Sequence, residues 1–186
     1  MKAIEQLRWL SYELALAVNH RYWRWVTIFS NGNTFVTISY RLDRFCYLVF
    51  ARYYVAVRVL LFPLFGLFNL LGSRHEIHYQ ADIGKGLKIL HASLGVVVSK
   101  YAVCGEHLTL TGGNCIGGRT ALKSGDVWLG NHVSLGANAV VLGPVRLGDR
   151  CVIGAGAVVL KDAPADSVLV GVPARNVMRE NVKREA

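Results

Sequence analysis

The four cysteines, at 46, 104, 115 and 151, form no C-x-x-C pair. Their scatter offers neither a zinc knuckle nor a disulfide framework, so the thiols read as reduced and the setting as cytosolic. Acidic residues are scarce, with 12 Asp and Glu against 21 Lys and Arg, a net charge of +9. A chain this basic fits an acidic partner: anionic lipid, a phosphate-bearing cofactor or nucleic acid. The opening MKAIEQLRWLSYELA carries charges at 5, 8 and 13, where a signal peptide keeps its apolar segment, so export by that route is not expected. Two local deficits then divide the chain. Only three of the 19 glycines precede residue 78, and only three aromatic residues follow it. The division is 1–78, an α-helical region expected to associate with a membrane; 79–178, a repeat domain; and 179–186, a charged tail.

The repeat is legible from 129 onward. Leu129, Leu135, Val141, Leu147, Ile153 and Val159 are spaced by six each time, and four of them are followed directly by glycine. A helix repeats near 3.6 and a strand near 2, so neither accounts for the pattern. A period of six means three short strands per coil of a triangular β-helix, each aliphatic side chain pointing into a shared interior. Upstream, Ile83 and Ile89 keep the rhythm, and Val96, Ala102 and Leu108 resume it after one extra residue. That extra residue falls just after His91, in LKILHASLGVVV, so the coil is expected to be irregular there. The stretch GGRTALKSGDVW (117–128) reads as a loop leaving the coil, and Pro164 and Pro173 read as closing the solenoid.

Taken with IGKG at 83–86, the H-A pair at 91–92, IGAGAVVLKD and the closing GVPARNV, the pattern resembles the left-handed β-helix, hexapeptide-repeat acyltransferases. Within them it is most similar to the serine acetyltransferase branch, which includes bacterial capsule and exopolysaccharide O-acetyltransferases. SYRLDRF (39–45) extends the likeness more weakly. The resemblance implies a mainly β fold, a homotrimer, and acetyl-CoA as acetyl donor in a groove between subunits. It places His91 as general base and Glu76, fifteen residues earlier, as its partner. It places Gly117, Gly118, Ala137, Ala155 and Lys161 along the cofactor, and His78 and Asp126 toward the acceptor. A histidine base is chemically sensible, because a hydroxyl is a poor nucleophile until its proton is taken. No metal is implied: His91, His107 and His132 lack the spacing of a zinc site built across a subunit seam. His107 and His132 read as coil or corner residues facing solvent.

The serine enzymes usually carry a second histidine in the loop; here Asp126 stands roughly in its place. The leading expectation is therefore acetylation of a sugar hydroxyl on a surface polysaccharide or its lipid-linked intermediate. A serine O-acetyltransferase of cysteine biosynthesis is the alternative, and a non-catalytic membrane-bound scaffold is the alternative outside enzymes.

In the first part, Leu7, Leu10, Leu14 and Val18 repeat at helical spacing, with Glu5, Arg8 and Glu13 off that face, which predicts an amphipathic helix. SNGN (30–33) reads as a turn. From Tyr40 to Leu71 the chain is nearly all apolar, interrupted by Arg41, Arg44, Arg52 and Arg58, which share an arc of roughly 120° on a helix. These charges argue against a span. They leave a helix lying in the lipid interface, basic stripe toward headgroups, or one packed on trimer mates or on the β-helix. The basic residues alternate with aliphatics, unlike a nucleic-acid patch. The implied place is the inner face of the cytoplasmic membrane.

Overall fold

The computed structural model describes residues 2–18, 32–72 and 75–177. The 179–186 tail and the first half of SNGN lie outside them. Helix α1 (Lys2–Val18) is followed by α2 (Gly32–Phe50), a 3-10 turn (Ala51–Tyr53), α3 (Tyr54–Leu60) and α4 (Phe62–Gly72). Fifteen short strands come next, from β1 (His75–Ile77) to β15 (Arg175–Asn176). They form three sheets that the chain visits in rotation, with β1, β4 (Val96–Val98), β7 (Asn114–Gly118), β10 (Val140–Gly143) and β13 (Val158–Val159) stacked in one of them. Every pairing among the described strands is parallel except the last, where β15 returns antiparallel to β14 (Val168–Val170). β1 already pairs with β4 through His75, Glu76 and Ile77, so the solenoid takes in residues just ahead of 79.

The six-residue rhythm has the expected cause. Leu129, Leu135, Val141, Leu147, Ile153 and Val159 stack in the prism interior with at most 2% exposure. Burying one such side chain contributes about 1.5–3 kcal/mol. The extra residue after His91 is absorbed by a 3-10 turn, Ala92–Leu94, closed by Gly95 at φ 78°. Strand β7 (Asn114–Gly118) runs into the loop before β8 (Val127–Leu129), and Leu122 folds back over Gly118.

A solenoid ends on strands whose outer N–H and C=O groups have no further coil to pair with, and buried backbone groups must find partners. Here the helices supply them with polar side chains. Tyr40 Oη donates to Ala81 O and accepts from Ile83 N–H. Burial pushes its hydroxyl up to about 12. Arg41, wholly buried, donates to Ile83 O, Gly84 O and Gln6 Oε1, and forks onto the Glu13 carboxylate. Glu13 in turn accepts the Leu87 N–H at 2.8 Å. Arg44 reaches Tyr79 O and Asp82.

Two sequence expectations are corrected by this cap. Arg41 and Arg44 do not belong to a headgroup-facing stripe, because they are buried and hydrogen-bonded to groups at the strand ends. Helix α1 forms as expected and buries Val18 of its expected face, but it also buries Gln6 and Glu13 while Leu7 stays exposed. Pairing with Arg41 decides which way the helix turns.

Candidate active site

The candidate catalytic, cofactor and acceptor residues read from the sequence lie on or beside one side of the prism, the sheet containing β1, β4, β7, β10 and β13. Counting two residues past the paired Ile89, Leu110, Leu135 and Ile153 stacks His91, Gly112, Ala137 and Ala155 along the corner that enters this sheet. Hydrogen bonds fix the column: His91 N–H donates to Thr111 O, Asn138 N–H to Gly112 O and Gly156 N–H to Ala137 O. His91 and Ala155 are exposed, and no side chain larger than alanine follows His91 down those three coils. Gly112 is required by close approach as well as by its φ of +135°, since a Cβ there would lie 2.3 Å from His91 O. Buried Asn114 ties successive corners together, accepting from Gly112 N–H and donating to Gly136 O.

Gly117, Gly118 and Lys161 lie at the opposite edge of the same sheet, where the chain leaves it. Gly118 pairs with Gly143, and Lys161 falls in the same column one coil further on. One chain therefore does not bring them to Ala137 and Ala155; the outer face of the sheet separates the two corners. Glu76 stands on that outer face, in a column with Val97, Cys115, Val140 and Val158. It is exposed, one coil above the strand that follows His91, and no hydrogen bond joins the two side chains in the single chain.

The two acceptor candidates have local partners. His78 is half-buried, stacks on Tyr79 with centroids 4.3 Å apart and accepts the Gln80 N–H through Nδ1. Burial first, then Arg58 and Lys100, holds its imidazole below the ordinary value. The Asp126 carboxylate accepts the Lys123 N–H at 2.7 Å and closes the loop's last turn. His107 and His132 occupy corners, both at positive φ, and stack on each other with centroids 4.7 Å apart. His132 is exposed as expected, whereas His107 is half-buried against Tyr12. Among the described residues no group of three His, Cys, Asp or Glu could hold a metal ion.

Asn33 is the residue that sequence reasoning missed. From the first turn of α2 it donates through Nδ2 to Leu90 O and accepts from Ala92 N–H, both at 2.6 Å. It thus grips the backbone on both sides of His91. Its place in SNGN marked a turn but gave no hint of a contact 57 residues away. A cavity of about 420 Å³ opens behind Asn33, between α1, α2 and β3 (Lys88–Ile89), with Glu13, Thr37 and His107 in its wall. His91 does not line it.

The family model "Bacterial transferase hexapeptide (six repeats)" matches residues 126–161. The chain is 41% identical over 110 residues to a serine acetyltransferase of Synechococcus elongatus, covering 58% of this chain and 44% of that protein. It is 34% identical over 143 residues to an Escherichia coli protein named "Putative colanic acid biosynthesis acetyltransferase WcaB", covering 75% and 87%. Among solved structures, the Neisseria gonorrhoeae serine acetyltransferase superposes with a TM-score of 0.72 at 27% identity, over 93% of this chain and 65% of that one. The parallel coils and preceding helices are thus a left-handed β-helix with an α-helical N-terminal segment. The chain spans less than half the length of the serine acetyltransferases it matches first.

Proposed function

The chain belongs to the hexapeptide-repeat acetyltransferases, in their serine acetyltransferase-like branch, and from that premise we propose that it transfers acetyl from acetyl-CoA to a hydroxyl with His91 as general base. The observation that carries this reading is the position of His91, exposed at the head of a column of small residues. A pantetheine arm needs close backbone approach, and Gly112, Ala137 and Ala155 leave room for it. Bound there, acetyl-CoA supplies the activated carbonyl. His91 takes the proton of the acceptor hydroxyl as its oxygen attacks, and the thiolate of CoA leaves. Asn33 and Gly112 hold the backbone that presents the imidazole. Glu76 fixes the imidazole when a neighbouring subunit closes over the outer face of the sheet. A homotrimer joins the two corners: Gly117, Gly118 and Lys161 of one subunit then face Ala137 and Ala155 of the next. Lys161 meets the phosphates at the nucleotide end.

For the acceptor, the comparisons favour serine over the saccharide expected from sequence, because relatives at 41–47% identity are named serine acetyltransferases. The saccharide reading stays as the second, on two observations. WcaB is matched over nearly its whole length, including part of the helical region. The loop between Gly118 and Val127 contains no histidine. Release of CoA thiol from acetyl-CoA, measured with serine and with sugars or lipid-linked saccharide, separates the two. With the true acceptor, His91→Ala lowers the rate about 10²–10⁴-fold. An unchanged rate in that variant removes His91 from the mechanism, and a wild-type chain that neither binds CoA nor acetylates any of these acceptors leaves the scaffold reading.

A further inference from the structure

We infer that residues 49–70 form a surface that docks into one leaflet of an anionic lipid bilayer. Ten large apolar side chains in this stretch are at least 40% exposed, among them Leu60 at 79%, Phe62 at 73% and Leu70 at 80%. Scattered exposed apolar residues are ordinary, but a contiguous set marks an interaction surface.

The character of that surface selects lipid over a second copy of the chain. A helix at a subunit interface hides one face and keeps the opposite face polar. Helix α4, FPLFGLFNLLG, has one polar side chain in eleven residues and therefore no polar face to offer solvent. Among its described side chains Phe65 is buried against the rest of the chain and Phe68 meets Phe35, and exposed apolar residues lie on either side of Phe65.

Length decides between insertion and spanning. At 1.5 Å per residue α4 is about 16 Å long, near half of a hydrocarbon core of about 30 Å. No single helix among the described residues is long and apolar enough to cross; Gly32–Leu60 and Phe62–Phe68 reach that length only as a pair bent by 72°, and the first of the two is tied to the strand ends by Arg41 and Arg44. A bent apolar elbow fits one leaflet.

Charge gives the lipid class. No acidic residue occurs between Asp43 and Glu76, and from 45 to 73 the only charges are Arg52 and Arg58. Arg58 is engaged, paired with Asp43 at 3.4 Å and lying over Tyr79. Arg52 is exposed, its guanidinium over the Tyr53 ring and bonded to Tyr53 Oη at 2.9 Å. An exposed arginine beside a tyrosine at the rim of an apolar surface suits the headgroup layer, where anionic lipid attracts it.

The inference rests on the helices alone and stands or falls independently of the acetyl-transfer reading. The test is sedimentation of the full chain with phosphatidylcholine vesicles, with and without phosphatidylglycerol. Wild type is expected to pellet with both and more strongly with phosphatidylglycerol, the excess fading as salt screens it. Leu60→Glu/Phe62→Glu/Leu70→Glu is expected to lower vesicle binding roughly tenfold or more with an unchanged circular dichroism spectrum, since these side chains support no buried contact. Arg52→Gln is expected to lose only the excess for anionic vesicles. Wild type remaining in the supernatant with both vesicles, or the triple variant pelleting like wild type, overturns the inference. So does a lipid-free oligomer that the triple variant dissociates while wild type ignores vesicles, which assigns the surface to a second copy.

Discussion

The prism and the helical layer obey opposite rules. In the prism, aliphatic side chains point inward at every sixth position, and small residues turn the corners. In the helices, the first half turns Arg41, Glu13 and Gln6 inward, and the second half turns Leu60, Phe62 and Leu70 outward. The difference comes from what each region meets. A coil meets another coil that satisfies its backbone, so only apolar contact remains to be made inside. The cap meets strand ends whose N–H and C=O groups have no partner, so it needs charged and polar side chains where a core would need leucine. Residues 49–70 turn Tyr54 and Phe65 onto the rest of the chain and leave Leu60, Phe62 and Leu70 with no apolar neighbour to cover them.

The largest effect expected on stability tests the cap. Arg41→Met leaves the Glu13 carboxylate buried without its partner and frees Ile83 O and Gly84 O. A loss of about 3–5 kcal/mol is expected in urea denaturation, as for removing one member of a buried pair. A loss no larger than for exposed Arg119→Met contradicts the capping account. Leu135→Ala probes the other rule and is expected to cost about 2–5 kcal/mol, as a cavity in a wholly buried stack. Should Leu135→Ala prove far costlier than Arg41→Met, the cap is secondary to the interior.

This contrast also explains what the sequence could convey. The β-helix was legible because the place of each side chain in a coil follows from its position in a short period. The column His91, Ala137, Ala155 follows from that period once the extra residue is allowed for. Arg41 and Arg44 were misread as a lipid-facing stripe because their partners lie about forty residues away, at strand edges that no periodicity records. Asn33 was missed for the same reason. Gly112 was one glycine among many in TGGN until the approach of His91 O showed why it must stay bare.

Asn33 is where the two regions cooperate, so its replacement should lower activity more than stability. Asn33→Ala removes two hydrogen bonds at the backbone of Leu90 and Ala92, each contributing about 0.5–1.5 kcal/mol. A fall of roughly tenfold in kcat/KM is expected if that energy holds the imidazole in place. Asn33→Asp, which keeps the acceptor and loses the donor, should recover part of it. A purely structural role predicts instead an equal thermal shift for both variants with kcat/KM unchanged.

The smallest effect belongs to His78, at the junction of cap and prism. Burial first, then Arg58 and Lys100, holds its imidazole below the ordinary value of 6.5, while Asp43 and Glu76 act weakly the other way. The unfolded chain therefore binds the proton at a higher pH than the folded chain does. The stabilisation is fully present above the unfolded value and is lost as pH falls through 6.5 toward the folded value. Thermal melts at pH 7.5 and 5.5 should show wild type losing more stability on acidification than His78→Gln. Equal losses in the two proteins place the acid sensitivity elsewhere, and leave the stacking on Tyr79 as the whole of His78's contribution to the junction.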